Sequence, residues 1–185
     1  MNISKIKKIS CLILLSMFLL IFQANAALAA RKVLSVPGYS QIYDGWCWAS
    51  ADKSIIQFLK GSSPTLQTIV NYIPGGSDGA TISEARQALT HWNVASSLQS
   101  SCLTYNGVQS QINNNHPIWA RIQQGEGWVA SHCNVIRGYD TSSNFVLYVE
   151  PTDGSYHGQT YSTYVNGIHW DGGWWTWDGS IFDCR

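Results

Sequence analysis

The chain has 185 residues, with 11 basic and 11 acidic side chains, and only 12% of its residues are charged. Three of the basic residues, Lys5, Lys7 and Lys8, fall in the first 30 residues, so residues 31–185 carry 8 basic against 11 acidic side chains, a formal charge of −3. This balance argues against nucleic acid or an anionic membrane as a partner, and the nine Trp argue against a disordered chain.

The first 30 residues read as a targeting segment. A basic start, an apolar run over residues 11–22 and two Ala-x-Ala sites predict a cleaved secretory signal, with cleavage after Ala26, Ala29 or Ala30. The run is short for a bilayer span, and a retained N-terminal anchor is the alternative. Residues 31–185 are then expected to be one exported, monomeric domain that has no membrane contact after cleavage.

The stretch Gln41–Ser50 (Q-I-Y-D-G-W-C-W-A-S) holds a cysteine at the predicted start of a helix. Apolar residues follow at positions 48, 51, 55, 58 and 59, which is helical spacing, and Gly61 to Pro64 end the pattern. Cys47 therefore lies near a helix N-terminus, where unpaired N–H groups and the helix dipole favour a thiolate. On its own, such a cysteine is more often a small buried hydrophobic residue.

Residues 64–93 predict two helices joined by a glycine-rich turn. Within the turn, residues 75–79 (G-G-S-D-G) match G-x-S-x-G by letter. The serine elbow of a hydrolase needs a strand before the serine and a large parallel sheet beneath it. Here a helical pattern and Pro74 precede the serine, so we interpret the match as a loop.

The second half of the chain predicts an α+β fold. A short helix at Val108–Ile112 ends before Pro117, and short strands follow. The predicted strands are Ile118–Ile122, His132–Tyr139, Phe145–Val149, Gln159–Val165 and a last Trp-rich segment. Helices first and a sheet second indicate α+β. The Trp-rich segment is expected to be an edge hairpin that closes the core, and sugar stacking is the alternative.

His132 opens the predicted strand H-C-N-V-I-R-G-Y. After the loop Gly125–Trp128, an imidazole at that strand end can reach a helix N-terminus, take a thiol proton and pair with the thiolate. The next strand ends at Glu150, with Asp153 three residues later. Either carboxylate can accept the other imidazole N–H and fix the tautomer. The sequence leaves both open.

Four cysteines remain after the signal: Cys47, Cys102, Cys133 and Cys184. An even count in an exported chain would ordinarily suggest two disulfides. A catalytic Cys47 must stay free, so we expect at most one bridge, Cys102 with Cys184, since Cys133 lies in a predicted core strand. No Cys/His cluster has zinc spacing, and neither a metal nor a cofactor is expected.

Together these motifs resemble the papain-like cysteine peptidases, and within them the compact bacterial branch of C39-like and AvrRpt2-type peptidases. The resemblance rests on V-P-x-x-x-Q from Val36 to Gln41, C-W-A from Cys47, H-P-I-W-A from His116, H-x-x-V-x-x-G-Y from His132, and Glu150 before Pro151. It covers residues 35–154 and implies a papain-like fold with a helical N-terminal half, whose catalytic helix packs on a C-terminal antiparallel sheet.

The resemblance also implies roles for the site residues. Cys47 would be the nucleophile, His132 the general base and acid, and Gln41 the oxyanion donor beside the Cys47 backbone N–H. Glu150 takes the place of the family's Asp before Pro, and Asp153 could replace it. The expected walls of the pocket are Trp46, Trp119 and Trp128, in three separate segments.

The expected function is therefore hydrolysis of a peptide or amide bond in a protein or peptide substrate. Three alternatives stay open: transfer of the acyl group to an amine, cleavage of a cell-wall amide, and an inactive binding module that keeps the fold.

Overall fold

The structure is a computed structural model that describes residues 30–124, 131–170 and 173–185. The predicted signal segment before Ala30, the loop Gly125–Trp128 and the wall residue Trp128 lie outside the described residues. The helices are α1 (Cys47–Lys60), α2 (Leu66–Tyr72), α3 (Ile82–His91), α4 (Tyr105–Asn113) and α5 (Tyr161–Asn166). The strands are β1 (Arg31–Val33), β2 (Ser97–Gln99), β3 (Ile118–Gln124), β4 (Ser131–Asp140), β5 (Phe145–Glu150), β6 (Ser155–Thr160), β7 (Ile168–Trp170) and β8 (Gly173–Phe182).

The strands form one sheet in the order β2-β8-β3-β4-β5-β6, and β1 pairs with β4 and β7 with β8. Every pairing is antiparallel. Four helices precede the central strands in the chain, and α1 packs on β4. The α+β class with a helical first half and an antiparallel second half, as predicted from sequence, is confirmed. Among the described helices, none has the length and apolar character needed to cross a membrane.

Helix α1 is held in the core by its apolar face. Trp48, Ala51 and Ile55 are fully or almost fully buried, which is the periodicity that predicts this helix. The helix ends at Gly61, whose φ of 74° is the left-handed conformation that favours glycine, and the Gly61 N–H bonds the carbonyl of Gln57. Because α1 is fixed along its length, its first residue, Cys47, is fixed too.

The glycine-rich turn between α2 and α3 anchors the start of α1. The indole N–H of Trp48 donates to the carbonyl of Gly76, and that of Trp46 donates to the carbonyl of Ser77, each at 3.2 Å. A Cβ on Gly76 would lie 2.6 Å from the carbonyl oxygen of Val70, so only glycine fits there. The G-x-S-x-G match is therefore a structural loop, and its serine follows a helix rather than a strand.

The segment that precedes α1 packs against the turn after β5. The backbone N–H of Gln41 donates to the carbonyl of Pro151 at 2.7 Å. Gly38 approaches Gly154 so closely that a Cβ on Gly38 would lie 1.9 Å from the Gly154 carbonyl oxygen. This backbone contact joins Gln41 to the turn that follows Glu150, although more than 100 residues separate them in sequence.

One predicted strand is wrong. Residues Gln159–Val165 are divided between the end of β6 and α5. Thr160 caps α5, because its hydroxyl accepts from the N–H of Thr163. The aromatic and β-branched residues of this segment favour a strand by propensity, but Tyr164 is fully buried from a helix. The strands β1 and β2 were not predicted, since three residues are too few for a pattern.

The predicted Cys102–Cys184 disulfide is also wrong, since all four cysteines of the described chain are free thiols. The backbone carbonyl of Ser101, next to Cys102, accepts a hydrogen bond from the hydroxyl of Ser180. Arg185, next to Cys184, exchanges backbone hydrogen bonds with Ala95. The two cysteines thus follow opposite ends of the antiparallel β2–β8 ladder.

The Trp-rich segment forms the β7–β8 hairpin, as predicted, but β8 is not at an edge because it lies between β2 and β3. Within this segment Trp177 is buried, and its indole donates to the carbonyl of Gly179 at 2.9 Å. The hairpin therefore contributes to the core.

Asp52 is a carboxyl group buried inside α1. It is completely inaccessible to solvent, and neither of its oxygens has a regular hydrogen bond in the described part of the chain; the indole N–H of Trp119 lies nearest. Burial raises the pKa of Asp52 well above its ordinary value, and the Trp119 N–H offsets this only in part. We infer that Asp52 is protonated in the folded protein at mildly acidic pH.

This burial predicts a pH-dependent loss of stability. The unfolded chain releases the Asp52 proton near pH 4, while the folded chain keeps it to a higher pH. Above pH 4 the free energy of unfolding therefore falls by up to about 1.4 kcal/mol per pH unit, and the fall ends once the pH exceeds the raised pKa of the folded chain. Asp52→Asn is neutral at every pH and should remove this loss. Urea unfolding of both proteins from pH 4 to pH 8 measures the difference.

The matched control is Asp44→Asn, which alters an exposed carboxylate. If Asp52→Asn and wild type keep a constant stability difference across this pH range, the Asp52 carboxyl does not titrate with folding.

Candidate active site

A cleft of about 440 Å³ opens where the start of α1 meets β4. Cys47, His132 and Gln41 line it, together with Trp48 and Trp175. These three residues come from the first turn of α1, from β4 and from the segment that precedes α1. The fold therefore brings together residues that are separated by up to 91 positions in the sequence.

Cys47 is the first residue of α1, and the start of that helix has free hydrogen-bonding capacity. The N-cap, Trp46, makes no side-chain cap, and the first turn contains no acidic residue. The backbone N–H groups of this turn have no partner within the helix, and that of Trp48 bonds the Cys47 sulfur. The positive end of the helix is thus available to an anion at Cys47.

The pKa of Cys47 is held well below its ordinary value. The largest cause is a hydrogen bond from the Cys133 thiol. Burial acts in the opposite direction, while a hydrogen bond and charge attraction from His132 and the N–H of Trp48 lower the pKa further. These contacts favour a thiolate at neutral pH.

His132, at the second position of β4, is paired with Glu150. Its Nε2 lies 2.5 Å from Oε1 of Glu150, and its ring is also hydrogen-bonded to Cys47. Since Nε2 is occupied by the carboxylate, Nδ1 is the nitrogen that remains for the sulfur. Burial lowers the pKa of His132, but the contacts with Cys47 and Glu150 outweigh it and raise the pKa to about 10.

Glu150 is completely buried and still charged, because four donors satisfy its two oxygens. Oε1 accepts from His132 and from both the backbone N–H (2.9 Å) and the hydroxyl (2.7 Å) of Thr152. Oε2 accepts from the Asn134 side chain at 2.6 Å. Burial would raise the pKa of Glu150, but these hydrogen bonds and the charge of His132 bring it below its ordinary value.

Asn134 is in turn held by Tyr164 of α5. Its Oδ1 accepts from the Tyr164 hydroxyl at 3.1 Å, and its Nδ2 also donates to the carbonyl of Cys133. All of its side-chain hydrogen-bonding groups are therefore used, and this fixes the amide with an N–H directed at Glu150.

Gln41 presents a side-chain amide to the cleft. Its Oε1 is buried without a partner in the described residues, and its main chain is fixed by the bond to Pro151. Cys47, as the first helical residue, has a backbone N–H without a partner inside the helix. A side-chain amide that lines the cleft and a backbone N–H at the nucleophile are the kinds of donor that can stabilise an oxyanion.

The structure distinguishes between the two carboxylates that the sequence left open. Asp153 is exposed, and its Oδ1 accepts from the backbone N–H and hydroxyl of Ser155 at 2.9 and 2.6 Å. It forms a local turn with Ser155. The carboxylate at the imidazole is Glu150.

Sequence reasoning missed several residues around this site. Asn134 and Thr152 lie two residues from His132 and Glu150, and both are polar residues beside a buried strand end, which is the signal that could have identified them. Cys133 was assigned only to a core strand. Of the expected pocket walls, Trp119 lines the cleft, whereas Trp46 is turned into the loop at Ser77.

Among the described residues, no group of three or more His, Cys, Asp or Glu side chains is placed to hold a metal ion. The chemistry available here is that of a thiolate beside an imidazolium, with N–H donors next to the sulfur.

The family model described as Peptidase_C39 like family matches residues 33–171 of this chain. This span contains Gln41, Cys47, His132 and Glu150. No curated protein sequence matches the chain.

Three solved structures share the fold. A protein assigned as a C39-like peptidase from Bacillus anthracis has a TM-score of 0.56 at 13% identity, covering 84% of this chain and 98% of that one. The peptidase domain of Streptococcus ComA, a bifunctional ABC transporter in a quorum-sensing pathway, has a TM-score of 0.55 at 14% identity, covering 80% and 96%. Xylellain, a cysteine protease from Xylella fastidiosa, has a TM-score of 0.54 at 13% identity, covering 85% and 87%.

The Glu150 contact predicts how His132 titrates. Glu150→Gln keeps the shape of the side chain but removes the charge that stabilises the imidazolium, so the pKa of His132 should fall from about 10 by about 1–3. The NMR shifts of ¹⁵N-labelled histidine, followed from pH 5 to pH 11, measure this change.

Asp153→Asn is the matched control, because Asp153 lies in the same turn but bonds Ser155. It should leave the His132 titration unchanged. A fall in Asp153→Asn with none in Glu150→Gln would mean that the other carboxylate acts on the histidine.

Proposed function

Because the chain belongs to the Peptidase_C39 like family, and so has the fold and family of a cysteine-type peptidase, we propose that it hydrolyses peptide or amide bonds through Cys47, His132 and Glu150. The observation that carries the proposal is the contact chain from the Cys47 sulfur through the His132 ring to the Glu150 carboxylate. A nucleophile, a base and a group that orients the base are the parts that covalent catalysis requires.

In the first step the Cys47 thiolate attacks the carbonyl carbon of the scissile bond. The C–S bond forms as the carbonyl π bond opens, and the negative charge moves to oxygen. The Gln41 side-chain amide and the Cys47 backbone N–H then donate to this oxyanion. The Cys47 N–H is fixed by α1 and the Gln41 main chain by its bond to Pro151 before substrate arrives, so little reorganisation of the backbone is needed as the charge develops.

His132 then protonates the leaving amine. With a pKa near 10 in the ion pair, it carries the required proton at neutral pH, and loss of the thiolate charge during attack removes one of the contacts that stabilise the imidazolium. A water molecule enters, gives a proton to His132 and releases the acyl group from Cys47. Glu150 remains charged throughout and keeps the ring oriented.

We further propose that the protein acts outside the cytoplasm. Residues 1–30 have the basic start, apolar run and Ala-x-Ala sites of a secretory signal, and the substrate would be an exported protein or peptide. One chain supplies the nucleophile, the base and the orienting carboxylate, so the proposed reaction would need no second copy.

Substitution of the proposed catalytic residues tests the function. Cys47→Ala and His132→Ala should abolish cleavage of a fluorogenic peptide library, and Gln41→Ala should lower kcat by about 10²–10³ by removing one oxyanion donor. Cys102→Ala is the matched control for loss of a thiol and should retain activity, since Cys102 lies outside the cleft.

Labelling separates the chemistry from the choice of substrate. E-64 or iodoacetamide should modify Cys47 rapidly below pH 7 in wild type but only near pH 8 or above in His132→Ala, as an ordinary thiol does. A Cys47 that labels only above pH 8 in wild type contradicts the proposal and favours a binding module. Rapid labelling without peptide cleavage directs the search to cell-wall amides or to acyl transfer onto an added amine.

A further inference from the structure

A second thiol, Cys133, lies beside the proposed nucleophile and forms no covalent bond in the proposed reaction. It follows His132 in β4, is 1% exposed and lines the same cleft as Cys47. Its side chain interacts with that of Cys47 through a hydrogen bond that lowers the pKa of Cys47 and raises that of Cys133. The helix that carries Cys47 packs directly on the strand that carries Cys133.

The other two cysteines are differently placed. The Cys184 sulfur is buried just after β8, 4.0 Å from the carbonyl oxygen of Ile181, and Cys102 contacts the hydroxyl of Tyr161. Neither lines the cleft. Cys133 is therefore the thiol in the described chain that is positioned to react with a modified Cys47.

We propose that Cys133 is the resolving thiol for Cys47: after oxidation of Cys47 by a peroxide, the two residues form a reversible disulfide that inactivates the site. The inference rests on the proposed function only in taking Cys47 as the reactive thiolate. Such a pair would prevent irreversible loss of the nucleophile in an oxidising environment.

The two steps balance. The Cys47 thiolate attacks one oxygen of hydrogen peroxide, the O–O bond breaks, and with one proton the products are Cys47 sulfenic acid and water. Sulfur loses two electrons and the peroxide gains them. The Cys133 sulfur then attacks the Cys47 sulfur, the S–O bond breaks, and the Cys133 proton leaves with the hydroxyl group as water. A dithiol such as dithiothreitol returns both thiols and is itself oxidised to its disulfide.

The two thiols differ in a way that sets the order of these steps. Cys47 has a lowered pKa and faces the cleft, so it meets the peroxide as a thiolate. Burial, followed by the nearby Cys47, Glu150 and Asp52, raises the pKa of Cys133. Cys133 is thus a protected thiol in the reduced protein, and oxidation of Cys47 removes one of the nearby negative charges.

The test treats the protein with two equivalents of hydrogen peroxide, because sulfinic acid requires a second oxidation of the same sulfur, then blocks free thiols and maps the peptides by mass spectrometry. Wild type should give a peptide pair joined by Cys47 and Cys133, and Cys47 should lose E-64 labelling and recover it with dithiothreitol. Cys133→Ala and Cys133→Ser should form no such pair, should accumulate Cys47 sulfinic acid, and should recover about tenfold less labelling or worse. Cys102→Ser is the matched control and should behave as wild type.

Cys133→Ser keeps a small hydrogen-bonding side chain, so agreement between the two Cys133 variants assigns the effect to the missing disulfide rather than to altered packing. The wild-type measurement does not depend on how well either variant folds. Sulfinic acid at Cys47 of wild type, or a disulfide from Cys47 to Cys102 or Cys184, would overturn the proposal. The readouts need no substrate, so a disulfide in a protein that cleaves no peptide would refute the proposed function alone.

Discussion

A charged carboxylate buried between two strands and a turn determines the geometry of this site. Glu150 is cut off from water and is stable as an anion only because His132, Asn134 and Thr152 direct four donors at it. These donors come from β4 and from the turn after β5, and the register of β4 against β5, with Val135 opposite Val149, brings them together. A slip of one residue would turn His132 and Asn134 to the other face of the sheet and leave a buried charge without partners.

The need for free N–H groups at Cys47 explains why α1 begins without a side-chain cap. A side chain bonded to the first-turn N–H groups would compete with the Cys47 sulfur and with any oxyanion for the same donors. The helix start is fixed instead from outside, by the indoles of Trp46 and Trp48 bonded to the glycine-rich loop. Tertiary hydrogen bonds thus replace the local cap, and the first turn keeps its N–H groups free for chemistry.

The elements that the sequence predicts correctly are those whose pattern is local. The apolar spacing after Cys47 and the stretch from His132 to Tyr139 each identify their element, because burial of one face imposes a period. Helix α5 was missed because Tyr161 to Val165 favours a strand by composition, and only the hydroxyl of Thr160 and the burial of Tyr164 make it helical.

Within the site, too, only residues identified by a local pattern could be predicted from the sequence. Cys47 and His132 follow from motif and position, whereas the choice between Glu150 and Asp153 depends on which hydrogen-bond donors surround each carboxylate. Thr152 and Asn134 bond Glu150, and Ser155 bonds Asp153. Alternation along the strand also placed Cys133 on the face opposite His132. The position of the α1 start against that face depends on tertiary packing, which no local pattern predicts.

Little positive charge is available to the buried acidic side chains around Cys47. Cys47, Glu150, Cys133 and Asp52 are four acids within one interior region, and His132 is the one cation among the side chains that contact them in the described residues. An interior of low dielectric cannot hold four anions against one cation.

The imidazolium is therefore shared by the two acids that contact it, Cys47 and Glu150. Cys133 and Asp52 lack that contact and keep their protons, which agrees with the raised pKa of each. The position of His132 between the sulfur and the carboxylate thus decides which of the buried acids ionise, and it makes Cys47, rather than the adjacent Cys133, the thiolate.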